Sequence, residues 1–154
     1  MIQGISHITL IVSDVERSAA FFQKVLDAKE VYDSGRETFS LSREKFLLIG
    51  GTWLCLMEGA SLPEPTYHHI AFSVEEQDLE VYALRLQAAG AIIKKGRPRV
   101  KGEGHSLYFY DFDNHLFELH TGTLEERLKR YAKGKPPSAH DHVQGTISPT
   151  PEST

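Results

Sequence analysis

The sequence predicts an α+β fold built from two βαβββ modules, and three observations support this class. The segment HITLIV at 7–12 is echoed by HIAFSV at 69–74, 62 positions further along the chain. Each segment alternates as a half-buried strand does, and each is followed by a helical pattern. The 154 residues are 40% hydrophobic and 25% charged, as in an ordinary globular domain. We therefore expect one domain at 1–131, with its modules at about 1–60 and 66–122.

The first module is expected to begin with the strand at 7–12, which leads into a helix from about Asp14 to Ala28. Helical spacing of apolar residues predicts this helix, and its stripe consists of Phe21, Phe22, Val25 and Leu26. Three short strands should complete the module, because each alternates in hydrophobicity over a few residues. They are expected at 39–41, 46–49 and 53–57.

The second module repeats this order. A helix is expected from about Asp78 to Ala89, with Gly90 as its C-terminal cap. The strands that follow the helix are expected at 91–93, 107–110 and 115–120, with a tight hairpin at 111–114 between the last two.

The segment after the second module has two predicted parts. Thr123 and Glu126 have the spacing of a capping box, which predicts a short final helix reaching about Tyr131. Residues 132–154 are rich in Pro, Ser, Thr and Gly and show almost no apolar periodicity. Such a stretch buries too little surface to offset the entropy lost on ordering, so we expect a flexible tail.

Composition argues against several classes of function. The formal net charge is −4 and the pI is near 6.0, which disfavours nucleic acid or an anionic membrane as the main partner. No apolar run approaches the roughly 18 residues of a membrane span, and no secretory leader is recognisable. The single cysteine, Cys55, excludes an internal disulfide and a zinc site built from cysteines. We expect a soluble, cytoplasmic protein.

Strand alternation also predicts a polar face. Side chains on one side of the strands are aliphatic and suited to cover by the helices, whereas the other side is too polar for a plain core. The polar set contains His7, Thr9, Trp53, His69, Ser106, Tyr108 and Glu118. Two histidines at equivalent repeat positions and one carboxylate suit Mn, Fe, Ni or Zn. Spacing alone leaves open the alternative that both histidines are bonded to backbone and Glu118 faces water.

Four stretches resemble the vicinal oxygen chelate superfamily and, within it, the hydrolase type of fosfomycin resistance protein. They are GISHITLIV at 4–12, FSLSREKFLLIG at 39–50, YHHIAF at 67–72 and the run at 97–131. The resemblance implies paired modules that form an open mixed-sheet barrel, in a homodimer that exchanges modules. It further implies a site with ligands from both chains, usually for Mn²⁺ although other divalent metals fit, and the matching residues are His7, His69 and Glu118.

The resemblance also implies a reaction, in which water opens the epoxide of fosfomycin to give an inactive diol. Glu44, in the segment SREKF, matches the carboxylate that draws a proton from water. The expected substrate-binding residues are Thr9, Trp53, Tyr67, Ser106, Tyr108 and Arg127, with Lys94 or Lys95 as a further cation. Arginine suits a phosphonate because its guanidinium forms paired hydrogen bonds.

Other functions remain open on the sequence alone. The nearest alternative is a transferase that opens the same epoxide with a thiol such as glutathione or bacillithiol. A ring-cleaving dioxygenase and a metal-free drug-sequestering protein are more distant alternatives. Glu126 is expected to serve the capping box rather than the site, and His120 could support a metal ligand.

Overall fold

The computed structural model describes residues 1–94 and 103–133, and it contains the strand–helix–strand–strand–strand order twice. The first module consists of β1 (His7–Val12), α1 (Val15–Leu26), β2 (Lys29–Asp33), β3 (Glu44–Ile49) and β4 (Thr52–Glu58). The second consists of β5 (His69–Ser73), α2 (Leu79–Ala88), β6 (Ile92–Lys94), β7 (Ser106–Tyr110) and β8 (Leu116–His120). The helix α3 (Leu124–Lys133) follows them. The predicted α+β class with paired βαβββ modules is confirmed.

The two modules have the same sheet topology. The strand order is β1-β4-β3-β2 in the first sheet and β5-β8-β7-β6 in the second. In each sheet the first strand runs parallel to its neighbour, and the other pairs are antiparallel. Thr9 on β1 lies opposite Cys55, and the equivalent Ala71 on β5 lies opposite Glu118. The sequence repeat is therefore a structural repeat with matching registers.

The helices cover one side of the two sheets and form a single core. Asp14 caps α1 by accepting a hydrogen bond from the Arg17 backbone N–H at 2.9 Å. Phe22 of α1 is fully buried, and its ring lies 5.3 Å from that of Phe117 in the second module. Leu86 is the buried residue of α2 and joins the same core. The opposite faces of the sheets are therefore left open for a site.

The turn between β7 and β8 links the two modules. Asp113 in this turn is fully buried, and its Oδ1 accepts a hydrogen bond from the Ser13 backbone N–H at 2.8 Å. The hydroxyl of Ser61, in the segment between the modules, donates to the same oxygen, and that of Ser18 lies 3.5 Å from Oδ2. One carboxylate thus connects the first module, the intermodule segment and the second module.

One predicted strand is wrong and one strand was missed. Residues 39–41 are bends rather than a strand, and Phe39 and Leu41 are 68% and 86% exposed. The alternation of apolar residues at 39–41 therefore does not mark the buried face of a strand. The missed strand is β2, whose sequence KEVYD is mostly charged and shows no apolar alternation. It is held against β3 by Lys45, whose ammonium lies 3.2 Å from Glu30 and 2.7 Å from Asp33.

The remaining predicted strands and helices are present with bounds shifted by a few residues. The capping box is confirmed, because the Thr123 backbone N–H and hydroxyl donate to Glu126 while the Glu126 N–H donates to the Thr123 oxygen at 3.2 Å. The described part of α3 reaches Lys133, so the predicted start of the tail at 132 is wrong by at least two residues, which continue the helix. The predicted tail from 134 onward lies outside the described residues. No helix in the described ranges is long and apolar enough to cross a membrane.

Candidate active site and metal centre

The open face of the second sheet brings His69 and Glu118 together. They lie on the neighbouring strands β5 and β8, with His69 Nε2 3.0 Å from Glu118 Oε2. The carbonyl oxygen of Tyr67 lies 2.9 Å from His69 Nδ1, which fixes the ring with Nε2 directed at the carboxylate. The other carboxylate oxygen accepts a hydrogen bond from Ser106, whose oxygen is 2.8 Å from His120 Nδ1. A histidine and a carboxylate brought together in this way are two of the ligand types that divalent metal sites use.

Glu118 is an ionised carboxylate in a buried position. The residue is 6% exposed. Burial alone would raise the pKa of its carboxyl group, but hydrogen bonds from Ser106 and Tyr108 and the nearby His120 and His69 hold the pKa below its usual value. A charged oxygen ligand facing an imidazole suits a divalent metal such as Mn²⁺.

His7 is not near this pair within one chain. It lies on β1 of the other sheet, where its exposed ring is 4.4 Å from the ring of Trp53. No group of three His, Cys, Asp or Glu side chains within residues 1–94 and 103–133 is placed to hold a metal ion. Two of the three predicted ligands fit a metal centre, and the third belongs to a separate open face.

Glu44 lies on the face that carries His7. It begins β3 and is paired with Met57, which in turn is paired with Ile11 of β1. It is only 7% exposed, so it is not a solvated charge at a strand edge. The backbone of Glu44 is fixed by two hydrogen bonds with Ser34, both 3.0 Å long. The Glu44 N–H donates to the Ser34 hydroxyl, and the Ser34 N–H donates to the backbone carbonyl oxygen of Glu44.

The predicted substrate-binding residues are divided between the two faces. The first sheet carries Thr9 and Trp53, and the buried indole N–H of Trp53 has no hydrogen-bond partner among the described residues. The second sheet carries Ser106 and Tyr108 beside Glu118. Tyr67 precedes this sheet, and the centre of its ring lies 5.3 Å from the centre of the His69 ring.

Two cations complete the predicted set. The ammonium of Lys94 lies 4.9 Å from the centre of the exposed Tyr67 ring, and Lys95 lies outside the described residues. Arg127 is half-buried on α3, where its backbone N–H donates to the Thr123 carbonyl oxygen at 3.2 Å and its side chain makes no hydrogen bond or ion pair with the described residues. Within residues 1–94 and 103–133, neither Lys94 nor Arg127 forms an ion pair.

Sequence reasoning missed how α3 is attached. Glu103 is buried, and its carboxylate lies 2.9 Å from the Arg130 guanidinium, one turn beyond Arg127. Gly104 has a φ of 70°, and a Cβ there would come within 2.5 Å of the Gly122 backbone nitrogen. The segment at 103–104 is thereby packed against the start of α3. A buried carboxylate in a glycine-rich loop leaves no periodic signal in the sequence.

The fold and this arrangement of side chains agree with a known family. A sequence model described as the Glyoxalase/Bleomycin resistance protein/Dioxygenase superfamily matches residues 4–119. The chain belongs to this superfamily.

Comparison with individual proteins places the chain within a narrower group, the fosfomycin resistance proteins named FosX. It is 59% identical over 133 residues to FosX of Listeria innocua, covering 86% of this chain and 100% of that protein. It is similar, with a TM-score of 0.78 and 57% identity, to a FosX variant from Listeria monocytogenes crystallised with Mn(II) and 1S,2S-dihydroxypropylphosphonic acid, covering 85% and 99% of the two chains. It is 42% identical to the metallothiol transferase FosB of Shouchella clausii over 142 residues, covering 88% and 92%.

Proposed function

We propose that this chain is a metal-dependent epoxide hydrolase that adds water to fosfomycin and so inactivates the antibiotic. The observation that carries this proposal is the similarity to a FosX protein crystallised with Mn(II) and a dihydroxypropylphosphonic acid. That acid has hydroxyl groups on neighbouring carbons, as expected when water opens the epoxide of a propylphosphonate. The His69–Glu118 pair on an open face supports a metal centre of the same kind here.

We infer that His7, His69 and Glu118 hold Mn²⁺ and that two copies of the chain share each site. His7 lies on a different sheet from the other two ligands, so a second copy is needed if its first sheet is to face the His69–Glu118 pair. Exchange of modules would also cover the open faces of both sheets. When bound, the metal supplies a Lewis acid for the epoxide oxygen on which negative charge develops.

Glu44 is proposed to act as the general base. It would accept a proton from water as the water oxygen forms a bond to an epoxide carbon and the carbon–oxygen bond of the ring breaks. The oxygen released from the ring then takes a proton from solvent, which gives the diol, and Glu44 returns the proton it accepted to solvent. A positioned carboxylate of this kind contributes about 10²–10⁴ in rate.

The polar residues around the ligands would bind the phosphonate. Arg127 supplies a guanidinium suited to paired hydrogen bonds with an oxyanion, and Thr9, Ser106 and Tyr108 supply hydroxyl groups. The indole N–H of Trp53 is a buried donor available to a substrate oxygen. Tyr67, beside His69, would provide a wall of the site. We also propose that the protein works in the cytoplasm, without nucleic acid or membrane as partner.

The second candidate function is a thiol transferase, favoured by the similarity to FosB. Glu44 argues for water, because a buried carboxylate on the face of the proposed site is suited to activating a water molecule. The need for a thiol separates the two functions directly.

The test is phosphorus NMR of fosfomycin incubated with the purified protein and Mn²⁺ in the absence of any thiol. We expect conversion to the vicinal diol, and we expect a chelator to abolish it. Conversion that begins only after glutathione or another thiol is added would establish the transferase instead. No conversion under either condition would refute both candidates.

A mixing experiment tests the shared site. His7→Ala and His69→Ala should each be inactive, because each lacks one ligand in both sites of its dimer. After the two variants are mixed and exchanged, a mixed dimer carries one complete site, so about a quarter of the wild-type activity is expected. Two copies of His7→Ala unfolded and refolded together are the control. If the mixture stays inactive although mixed dimers form, the three ligands are not shared between chains.

A further inference from the structure

A buried thiol lies next to the proposed general base. Cys55 is the chain's one cysteine and is 5% exposed in the middle of β4. Its Sγ lies 3.9 Å from Glu44 Oε2, within hydrogen-bonding distance for sulfur. Cys55 is paired with Thr9 on one side and with Phe46 on the other, so its side chain shares the open face with Glu44 and His7.

The structural repeat relates the position of Cys55 to that of a proposed metal ligand. Thr9 and Cys55 are paired between β1 and β4, as Ala71 and Glu118 are paired between β5 and β8. The thiol therefore occupies the place in the first sheet that the proposed metal ligand Glu118 occupies in the second. Its sequence neighbours Leu54 and Leu56 are fully buried in the core on the opposite side of the sheet.

The surroundings of Cys55 keep its thiol protonated. Burial raises the pKa of the thiol, and the negative charge of Glu44 raises it further, while a hydrogen bond with the side chain of Thr9 acts in the opposite direction. A protonated thiol is a poor nucleophile but retains its S–H group as a weak hydrogen-bond donor. The carboxylate of Glu44 is the acceptor that lies within reach.

We propose that Cys55 is a positioning residue that donates its S–H to Glu44 Oε2 and leaves Oε1 as the atom that takes the proton from water. The catalytic half of this inference rests on the proposed hydrolase function. This hydrogen bond fixes the rotamer of the Glu44 carboxylate, because it holds Oε2 against Cys55 on the neighbouring strand β4.

Raman spectroscopy tests the hydrogen bond without substrate or metal. A single cysteine gives a single S–H stretching band, whose wavenumber falls when the thiol donates a hydrogen bond. We expect the band to move to higher wavenumber in Glu44→Ala. The matched control is Glu58→Ala, which removes an exposed carboxylate from the end of β4, the strand that carries Cys55. This variant should leave the S–H band in place. An identical band in the wild type and Glu44→Ala would overturn the proposal.

Steady-state kinetics test the positioning role. Cys55→Ala should lower kcat about tenfold with little change in KM, because a bond that orients the base is lost while the substrate contacts remain. Cys55→Ser should recover most of the lost kcat, since its hydroxyl can donate to the same oxygen. A purely structural role predicts the reverse order, because a buried serine is less favourable than alanine. Full activity in Cys55→Ala, or less activity in Cys55→Ser than in Cys55→Ala, would overturn the proposal.

The two measurements also separate this inference from the proposed function. The S–H band reports the contact whether or not fosfomycin is hydrolysed. A Glu44-dependent band in a protein that hydrolyses no fosfomycin would refute the hydrolase and, with it, the catalytic half of the inference.

Discussion

Replacing Asp113 should loosen the connection between the two modules. The fully buried carboxylate accepts hydrogen bonds from the Ser13 backbone N–H and the Ser61 hydroxyl, which belong to different parts of the chain. Asp113→Ala removes both hydrogen bonds, and a hydrogen bond to a charged group contributes about 1.5–3 kcal/mol, less where the donor is partly exposed, as the Ser13 N–H and the Ser61 hydroxyl are. We therefore expect the free energy of unfolding to fall by about 2–4 kcal/mol.

The charge of Asp113 gives this effect a defined pH dependence. Burial alone would raise the pKa of the carboxyl group, but the hydrogen bonds from Ser61 and Ser13 hold the pKa below its usual value. A carboxyl group with a lowered pKa in the folded state stabilises the fold at every pH above its unfolded pKa, near 3.9. That contribution is lost as the pH falls from about 4 through the folded pKa. Asp113→Asn, which keeps the shape and removes the charge, should therefore differ most from the wild type at neutral pH.

Urea unfolding at pH 7 and at several values below pH 4 measures this difference. The matched control is Asp78→Asn, which removes an exposed carboxylate that makes no capping hydrogen bond. The reasoning is refuted if Asp113→Asn is as stable as the wild type at pH 7. It is also refuted if the difference between the two proteins stays constant as the pH falls well below 4.

Three further predictions concern the site and the core. Glu44→Gln should lower thiol-free hydrolysis by about 10²–10⁴ while Mn²⁺ affinity is retained, as measured by phosphorus NMR and calorimetry; unchanged hydrolysis would exclude Glu44 as the base. Ser106→Ala removes the hydroxyl that donates to Glu118 and should weaken Mn²⁺ binding by roughly 10–100-fold, whereas equal affinity in calorimetric titration would show that this hydroxyl does not orient the ligand. Leu86→Ala truncates a fully buried side chain of α2 and should lower the free energy of unfolding in urea by about 2–5 kcal/mol. A loss below about 1 kcal/mol would mean that the core around position 86 rearranges to fill the space instead of leaving a cavity.

Local patterns were sufficient to predict most of the fold. The alternation in β1 assigned Leu10 and Val12 to the core and His7 to the open face, and the structure agrees because successive side chains of a strand point to opposite sides. The capping box at Thr123 could also be predicted from the sequence, because its partner Glu126 is only three residues away. These features depend on neighbours in the sequence.

The pattern failed where stability comes from pairs that are distant in sequence. Charged β2 has no apolar alternation, and its place beside β3 depends on Lys45 meeting Glu30 and Asp33. The ion pair of the buried Glu103 with the half-buried Arg130 could not be predicted for the same reason. An ion pair of this kind is recognisable only when both partners are located in space.

The sequence by itself determined the two modules, the polar face of each sheet and the residue types able to bind a metal. Only the tertiary structure decided which of those residues meet. Strand pairing places His69 3.0 Å from Glu118 and Cys55 3.9 Å from Glu44, while His7 stays on a separate sheet. The physical reason is that alternation is a property of one strand, whereas contacts across a sheet depend on register and strand order, which the whole chain must fold to establish.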